Sequence, residues 1–142
     1  MNNLYLNTVF ELIRTGHWLT DSVSRELKEY DIYEPQFNVL RILKGAKGIP
    51  ISVNTILERM LQRSSNVTRI VDKLESKGLV ERTLCPNDRR KMDIILTNKG
   101  DELLTVLNKK VKAFHQQMEN NLNQKELETL QLLIIKFKGE NK

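Results

Sequence analysis

Residues 64–100 read SSNVTRIVDKLESKGLVERTLCPNDRRKMDIILTNKG. Val67, Ile70, Val71 and Leu74 recur at core spacing for a helix, and Gly78 stands where a helix would end, so a helix is predicted over 64–77. Its opposite face carries Ser64, Ser65, Thr68, Arg69, Asp72 and Lys73. The runs LVERTLC and MDIILT are rich in Val, Ile, Leu and Thr, and between them lie the turn former PND and the basic RRK. They predict a two-stranded hairpin, roughly 79–85 and 92–97, with a charged tip.

Helical stripes flank this stretch on both sides. Thr97 can cap a long helix in which Leu103, Leu107, Val111, Phe114 and Met118 keep helical spacing to about Asn120. Past NNLNQ, Leu127, Leu130, Ile134 and Phe137 form another stripe, with Leu133 beside it. Upstream, Ser52 is a candidate N-cap for a short helix with Ile56, Leu57 and Met60 as buried positions. Before that, Pro35 sits at a first helical position, and Phe37, Leu40 and Leu43 lead to Gly45. From about Asn3 to Tyr30, Leu6, Phe10, Ile13, Val23, Leu27 and Tyr30 mark one long amphipathic helix, with His17 on the same stripe.

The chain has 142 residues and suits one domain with a real core. Its 39% hydrophobic and 29% charged content excludes a disordered chain. No apolar run reaches the roughly 20 residues needed to span a bilayer, and the beginning lacks the pattern of a secretory signal, so a cytoplasmic protein with no membrane contact is expected. Cys85 is the only cysteine and His17 and His115 the only histidines, which leaves no disulfide and makes neither a metal site nor a cofactor expected. Gly-rich phosphate loops, nucleophile elbows and His-plus-carboxylate arrangements at readable spacing are all missing, so no enzyme is expected. Charge is more informative. Between Arg59 and Lys91 nine Lys and Arg face four acids, a surplus that equals the whole net charge of +5. Such focused positive charge suits a polyanion.

Short helix, turn, helix and then a hairpin with a basic tip is the order of a winged helix-turn-helix, here 35–97. The helix from Ser64 fits a major groove. Ser64, Ser65 and Asn66 are small enough to bring its first turn close to a phosphate, Thr68 can reach base edges, and Arg69 and Lys73 lie one turn apart along the groove wall. Arg89, Arg90 and Lys91 on the hairpin could reach the neighbouring minor groove, where negative potential is strongest in A·T-rich segments. Asp88 makes sense beside them if it steadies the Arg90 guanidinium.

On SSNVTRIVDKLESKGLVER (64–82) and DRRKMDIILTNKG (88–100), with its Asp-x-Arg followed by Leu-Thr-x-x-Gly, the chain resembles the multiple-antibiotic-resistance regulators, the MarR family of bacteria. The resemblance implies a mainly α fold with a small β-hairpin wing, in which terminal helices, here 1–30 and 98–142, form a dimerisation region. It implies a major-groove helix at 64–77 and Arg90 in the minor groove. It also implies a homodimer on a near-palindromic duplex site, acting as a repressor and answering a small aromatic or anionic effector or thiol oxidation.

His17, Trp18, Tyr30 and Phe37 are the residues that could line an effector cleft. Cys85, at the end of a strand, reads as a half-buried strand residue rather than a redox sensor. The competing reading keeps the winged helix but uses it as a protein-interaction or non-specific DNA-binding module.

Overall fold

The computed structural model describes residues 2–63 and 66–139. Its elements are α1 (Asn3–Leu27), a 3-10 turn (Lys28–Tyr30), α2 (Glu34–Gly45), β1 (Ile51–Ser52), α3 (Val53–Arg59), α4 (Val67–Ser76), β2 (Val80–Cys85), β3 (Asp88–Leu96), α5 (Asn98–Glu119) and α6 (Gln124–Phe137). The mainly α fold with a small wing expected from the sequence is what forms. The chain divides into two compact units, one ending at Val111 and the other starting at Lys112.

In the first unit, apolar stripes converge on a core that includes Leu27, Ile32, Leu40, Ile56, Leu74, Ile94, Leu104 and Leu107, each fully buried. Local chemistry sets where the elements begin. Asn2 caps α1 by accepting from the Leu4 N–H at 2.9 Å, and Ser52 caps α3 by accepting from the Thr55 N–H at 3.1 Å. Asn38, buried in α2, accepts from the Leu61 N–H at 2.9 Å and ties down the chain that leaves α3. Of the expected core positions, Leu57 and Ile70 are only half-buried, and Phe10 and Ile13 on α1 stay exposed. In the first half of α1, Leu6, Val9 and Leu12 are half-buried and none of the stripe is fully buried.

The sheet has three antiparallel strands in the order β1-β3-β2. The hairpin differs from expectation in two ways. Its second strand starts at Asp88 rather than 92, so the turn is only Pro86 and Asn87, and β1 adds an edge two residues long, pairing Ile51 with Ile94 and Ser52 with Asp93. A two-residue strand is too short to leave a period in the sequence. Pairing runs evenly from Val80↔Leu96 to Leu84↔Met92 and then jumps to Cys85↔Asp88. The backbone of Arg89, Arg90 and Lys91 falls in that register break, an irregularity of the ladder between Leu84 and Cys85.

The Leu-Thr-x-x-Gly pattern is a structural joint. Thr97 Oγ1 donates to the Gly78 carbonyl at 2.7 Å and accepts from the Gly100 N–H at 3.0 Å, capping α5, while the Thr97 N–H bonds the Leu79 carbonyl at 3.1 Å. Gly100 has no choice of side chain, because a Cβ there would lie 2.1 Å from the Leu79 carbonyl oxygen. The joint fixes the end of α4, the wing and the start of α5 together.

In the second unit, Asn123 caps α6 through a reciprocal box: it accepts from the Glu126 N–H at 3.0 Å, and Glu126 accepts from the Asn123 N–H at 2.8 Å. No residue of α6 is buried, and Leu127, Leu130, Leu133, Ile134 and Phe137 all stand exposed.

Candidate nucleic-acid interface

With Val67, Val71 and Leu74 turned into the core, α4 leaves Thr68, Arg69, Asp72 and Lys73 exposed, and Asn66 lies exposed at its N-cap position. Sequence spacing placed these residues correctly on the outer face. Ser64 and Ser65 lie outside the described residues. Arg69 and Lys73 line one side of a groove of about 430 Å³, whose other side is the start of α2 with Tyr33 and Gln36. Gln36 is held there because its side-chain oxygen accepts from the Tyr33 N–H at 3.1 Å.

Asp72 would weaken a cationic face, and the fold answers it with a residue the sequence reading left unassigned. Arg82, on β2, donates through Nη2 to Asp72 and through Nη1 to Glu75 at 2.6 Å, and its backbone N–H reaches Glu75 at 3.2 Å. Burial alone would lower the Arg82 pKa, but the two carboxylates outweigh it and hold the guanidinium above its ordinary value. The fork therefore stays charged, offsets both acids and pins the C-terminal half of α4 to the wing. Ten residues and a turn separate Arg82 from Asp72, so no helical or strand period could have paired them.

The end of α4 is tied down as well. Lys77 donates to the Asp31 carbonyl, its Nζ lies 3.2 Å from the Asp31 carboxylate, and Lys99 donates to the Lys77 carbonyl at 2.8 Å. Asp31 takes up the left-handed backbone at φ 54°, which an Asp tolerates better than most residues. α4 is thus presented on a fixed frame.

On the wing, Arg90 and Lys91 are exposed, and the Arg89 side chain lies outside the described residues. Asp88 Oδ1 accepts from the Arg90 backbone N–H at 2.9 Å. This corrects the expectation that Asp88 steadies the guanidinium: the carboxylate closes a local side-chain turn and shapes the backbone from which Arg90 projects.

The four residues expected to line an effector cleft are not gathered together. His17 and Trp18 share a groove of about 570 Å³ with Arg14, Asp21 and Arg25. Tyr30 has the Lys110 ammonium 5.5 Å from its ring centroid, a cation–π contact. Phe37 is buried core under the Arg41 guanidinium, 5.6 Å from its centroid, because the stripe that carries it faces inward along α2. Cys85 is half-buried on its strand, as expected.

No helix among the described residues is long and apolar enough to cross a membrane. Residues 32–92 match the model of the MarR family. Over 136 residues the chain is 33% identical to the multiple antibiotic resistance protein MarR of Escherichia coli (strain K12), covering 92% of each chain. Among solved structures, a MarR-like transcription regulator from Bacillus cereus ATCC 10987 is similar at 26% identity and a TM-score of 0.82, over 99% of this chain and all of that one. The S. aureus MepR–DNA complex is similar in fold, at 23% identity and a TM-score of 0.81, over 96% of this chain and 98% of that one.

Proposed function

The chain belongs to the MarR family, and we propose that it is a DNA-binding transcription regulator acting as a homodimer, most simply a repressor that occludes a promoter. One observation carries the reading: on one unit, Thr68, Arg69 and Lys73 of α4 and Arg90 and Lys91 of the wing stand exposed, while Arg82 offsets the acids Asp72 and Glu75 beside them. That surface is cationic, has small polar side chains at one end, and is held rigid by the joints on Lys77 and Thr97.

In this reading α4 enters the major groove. Asn66 and Thr68, with Ser64 and Ser65 ahead of them, meet base edges and phosphates, and Arg69 and Lys73 follow the groove wall. Arg90, with Arg89 and Lys91 beside it, reaches the adjacent minor groove, and Asp88 sets the backbone angle of that approach. The exposed apolar face of α6 and the exposed first half of α1 supply the surface on which two copies meet. A two-fold dimer would then set its recognition helices roughly 34 Å apart on a near-palindrome. The chain performs no reaction and works in the cytoplasm. A small effector that alters DNA affinity completes the proposal.

The test is a fluorescence-anisotropy titration against duplex DNA from upstream of the protein's own coding sequence and against a scrambled duplex, at two salt concentrations. A preference of roughly 10³-fold or more for the native duplex, with steep loss on adding salt, is expected. Equal binding to both duplexes would favour the non-specific module instead. Within a specific site, Arg90→Ala should weaken binding most where the flanks are A·T-rich, and Thr68→Ala should shift the preferred base, by roughly 1–3 kcal/mol each. A uniform loss across all sequences would remove the minor-groove role.

A further inference from the structure

Leu84 on β2 and Met92 on β3 stand directly opposite each other in the ladder, so their side chains leave the same face of the wing. They are 64% and 41% exposed, and β2 is an edge of the sheet. A lone apolar side chain at a surface is ordinary. Two large ones paired near the open end of a hairpin make a patch, at a place where exposed edges usually carry charge.

The register tells which way this face turns. Arg82 and Ile94 are the next pair on it, closer to the core: Ile94 is fully buried, and Arg82 reaches Asp72 and Glu75 on α4. The face therefore starts in the core, is anchored to α4 by the Arg82 fork, and ends at Leu84 and Met92 in solvent. Farther out stand Arg90 and Lys91, exposed on the wing. The apolar pair thus occupies the stretch of wing between its anchor on α4 and its cationic tip.

The surroundings select what can cover the patch. The centre of a protein interface is depleted of charge, and of Lys in particular, whereas this pair is bordered by cations. Positive charge around a small apolar patch fits a surface on which anions alternate with C–H groups, and the backbone of duplex DNA is such a surface, with a deoxyribose between successive phosphates. We infer that Leu84 and Met92 pack on the deoxyribose rings of the strand that separates the major groove from the minor groove, a role that rests on the regulator reading for the presence of the duplex. With α4 in one groove and Arg90 in the next, the wing between them must cross that strand. Arg90 and Lys91 then meet phosphates while the apolar pair covers sugar. The unbranched Met side chain can adapt to that irregular surface. Contacts of this kind position the protein and add affinity without reading bases.

The test is a set of anisotropy titrations of the full chain against the native and scrambled duplexes over a range of salt. Leu84→Gln with Met92→Gln should weaken binding to both duplexes about tenfold or more, with the slope of log affinity against log salt unchanged, because apolar contact and no phosphate contact is lost. Arg90→Ala should instead lower that slope by about one. Leu84→Met with Met92→Leu keeps the apolar volume and should bind as the parent does. Both positions are exposed, so thermal melts of the variants should match the parent. The sugar contact is overturned if the Gln variant binds like the parent, or if its salt slope falls, which would mean that the cations beside the pair had moved. Loss on one duplex alone would also overturn it, since the pair would then read bases. So would a changed association state in ultracentrifugation, which would make the patch a seat for a second copy. Failure of the regulator reading looks different. Equal affinity of the parent for both duplexes removes that reading and leaves the loss in the Gln variant measurable on either, whereas a selective parent with an undiminished Gln variant removes the sugar contact alone. A parent that binds neither duplex removes both.

Discussion

α4 and α6 are both short amphipathic helices, ten and fourteen residues long, yet the chain treats them in opposite ways. α4 buries Val67, Val71 and Leu74 and keeps its polar face outward, so its outer residues are free to meet a polar partner on a frame already settled. α6 buries nothing, and its apolar face remains outward despite a well-made N-cap. Capping contributes about 1 kcal/mol, which cannot hold a fourteen-residue helix in water without covering its apolar side. One helix has buried its apolar face within its unit and turns a polar face outward; the other leaves its apolar face exposed.

The largest effect should come from breaking the unfinished side. Leu130→Asp with Ile134→Asp places two charges where a second copy would cover aliphatic surface, and it should weaken association by several kcal/mol, about 100-fold or more. Analytical ultracentrifugation reads this directly, and affinity for a two-half-site duplex should fall in step as bivalent binding is lost. A dimer that survives would move the interface away from α6.

Gly100→Ala attacks the finished side. Its new Cβ would press on the Leu79 carbonyl, so about 1–3 kcal/mol of stability should disappear in urea melts. An unchanged midpoint would mean that the joint between the wing and α5 yields easily.

Arg82→Ala sharpens the comparison, because it should barely change stability while changing function. The carboxylate partners are partly exposed, so the stability cost should be no more than about 1 kcal/mol. Two unbalanced acids would then stand beside the face proposed to meet DNA, and affinity should fall more at low salt than at high salt. Asp72→Asn added to Arg82→Ala should restore part of it; if the double variant is as weak as the single, Arg82 acts by holding the helix rather than by offsetting charge.

Glu34→Gln should have the smallest effect, on stability against pH. A carboxyl whose folded pKa is raised favours the fold below its unfolded value of 4.5 and loses that contribution as pH rises through the folded value. At neutral pH the variant should therefore match or exceed the parent, and the parent should close the gap towards pH 4. A parent that stays the more stable protein at pH 7 would mean the buried carboxylate is satisfied.

Much of the candidate interface's exposed face was legible because it is local. The period of Val67, Val71 and Leu74 dictates which side of α4 is wet, and the run PNDRRK marks a turn with cations beside it. What could not be read joins residues distant along the chain. Arg82 meets Asp72 from another element, β1 is too short to show a period, and Asp88 had several groups within reach before one hydrogen bond selected the Arg90 backbone. Phe37 looked like a cleft aromatic and is core, since aromatic residues on an apolar stripe carry no mark of which neighbour will cover them.

The sequence by itself determined the order of elements, the polar and apolar sides of each helix, and the concentration of positive charge between Arg59 and Lys91, because these follow from spacing and composition over a few turns. Only the tertiary structure decided which acids are offset, why Gly100 can have no side chain, how the register breaks at Arg89 to Lys91, and that Glu34 is buried at the edge of a groove. Each of those depends on two segments meeting at a few ångströms, and a linear pattern encodes the faces that can meet but not the atoms that do.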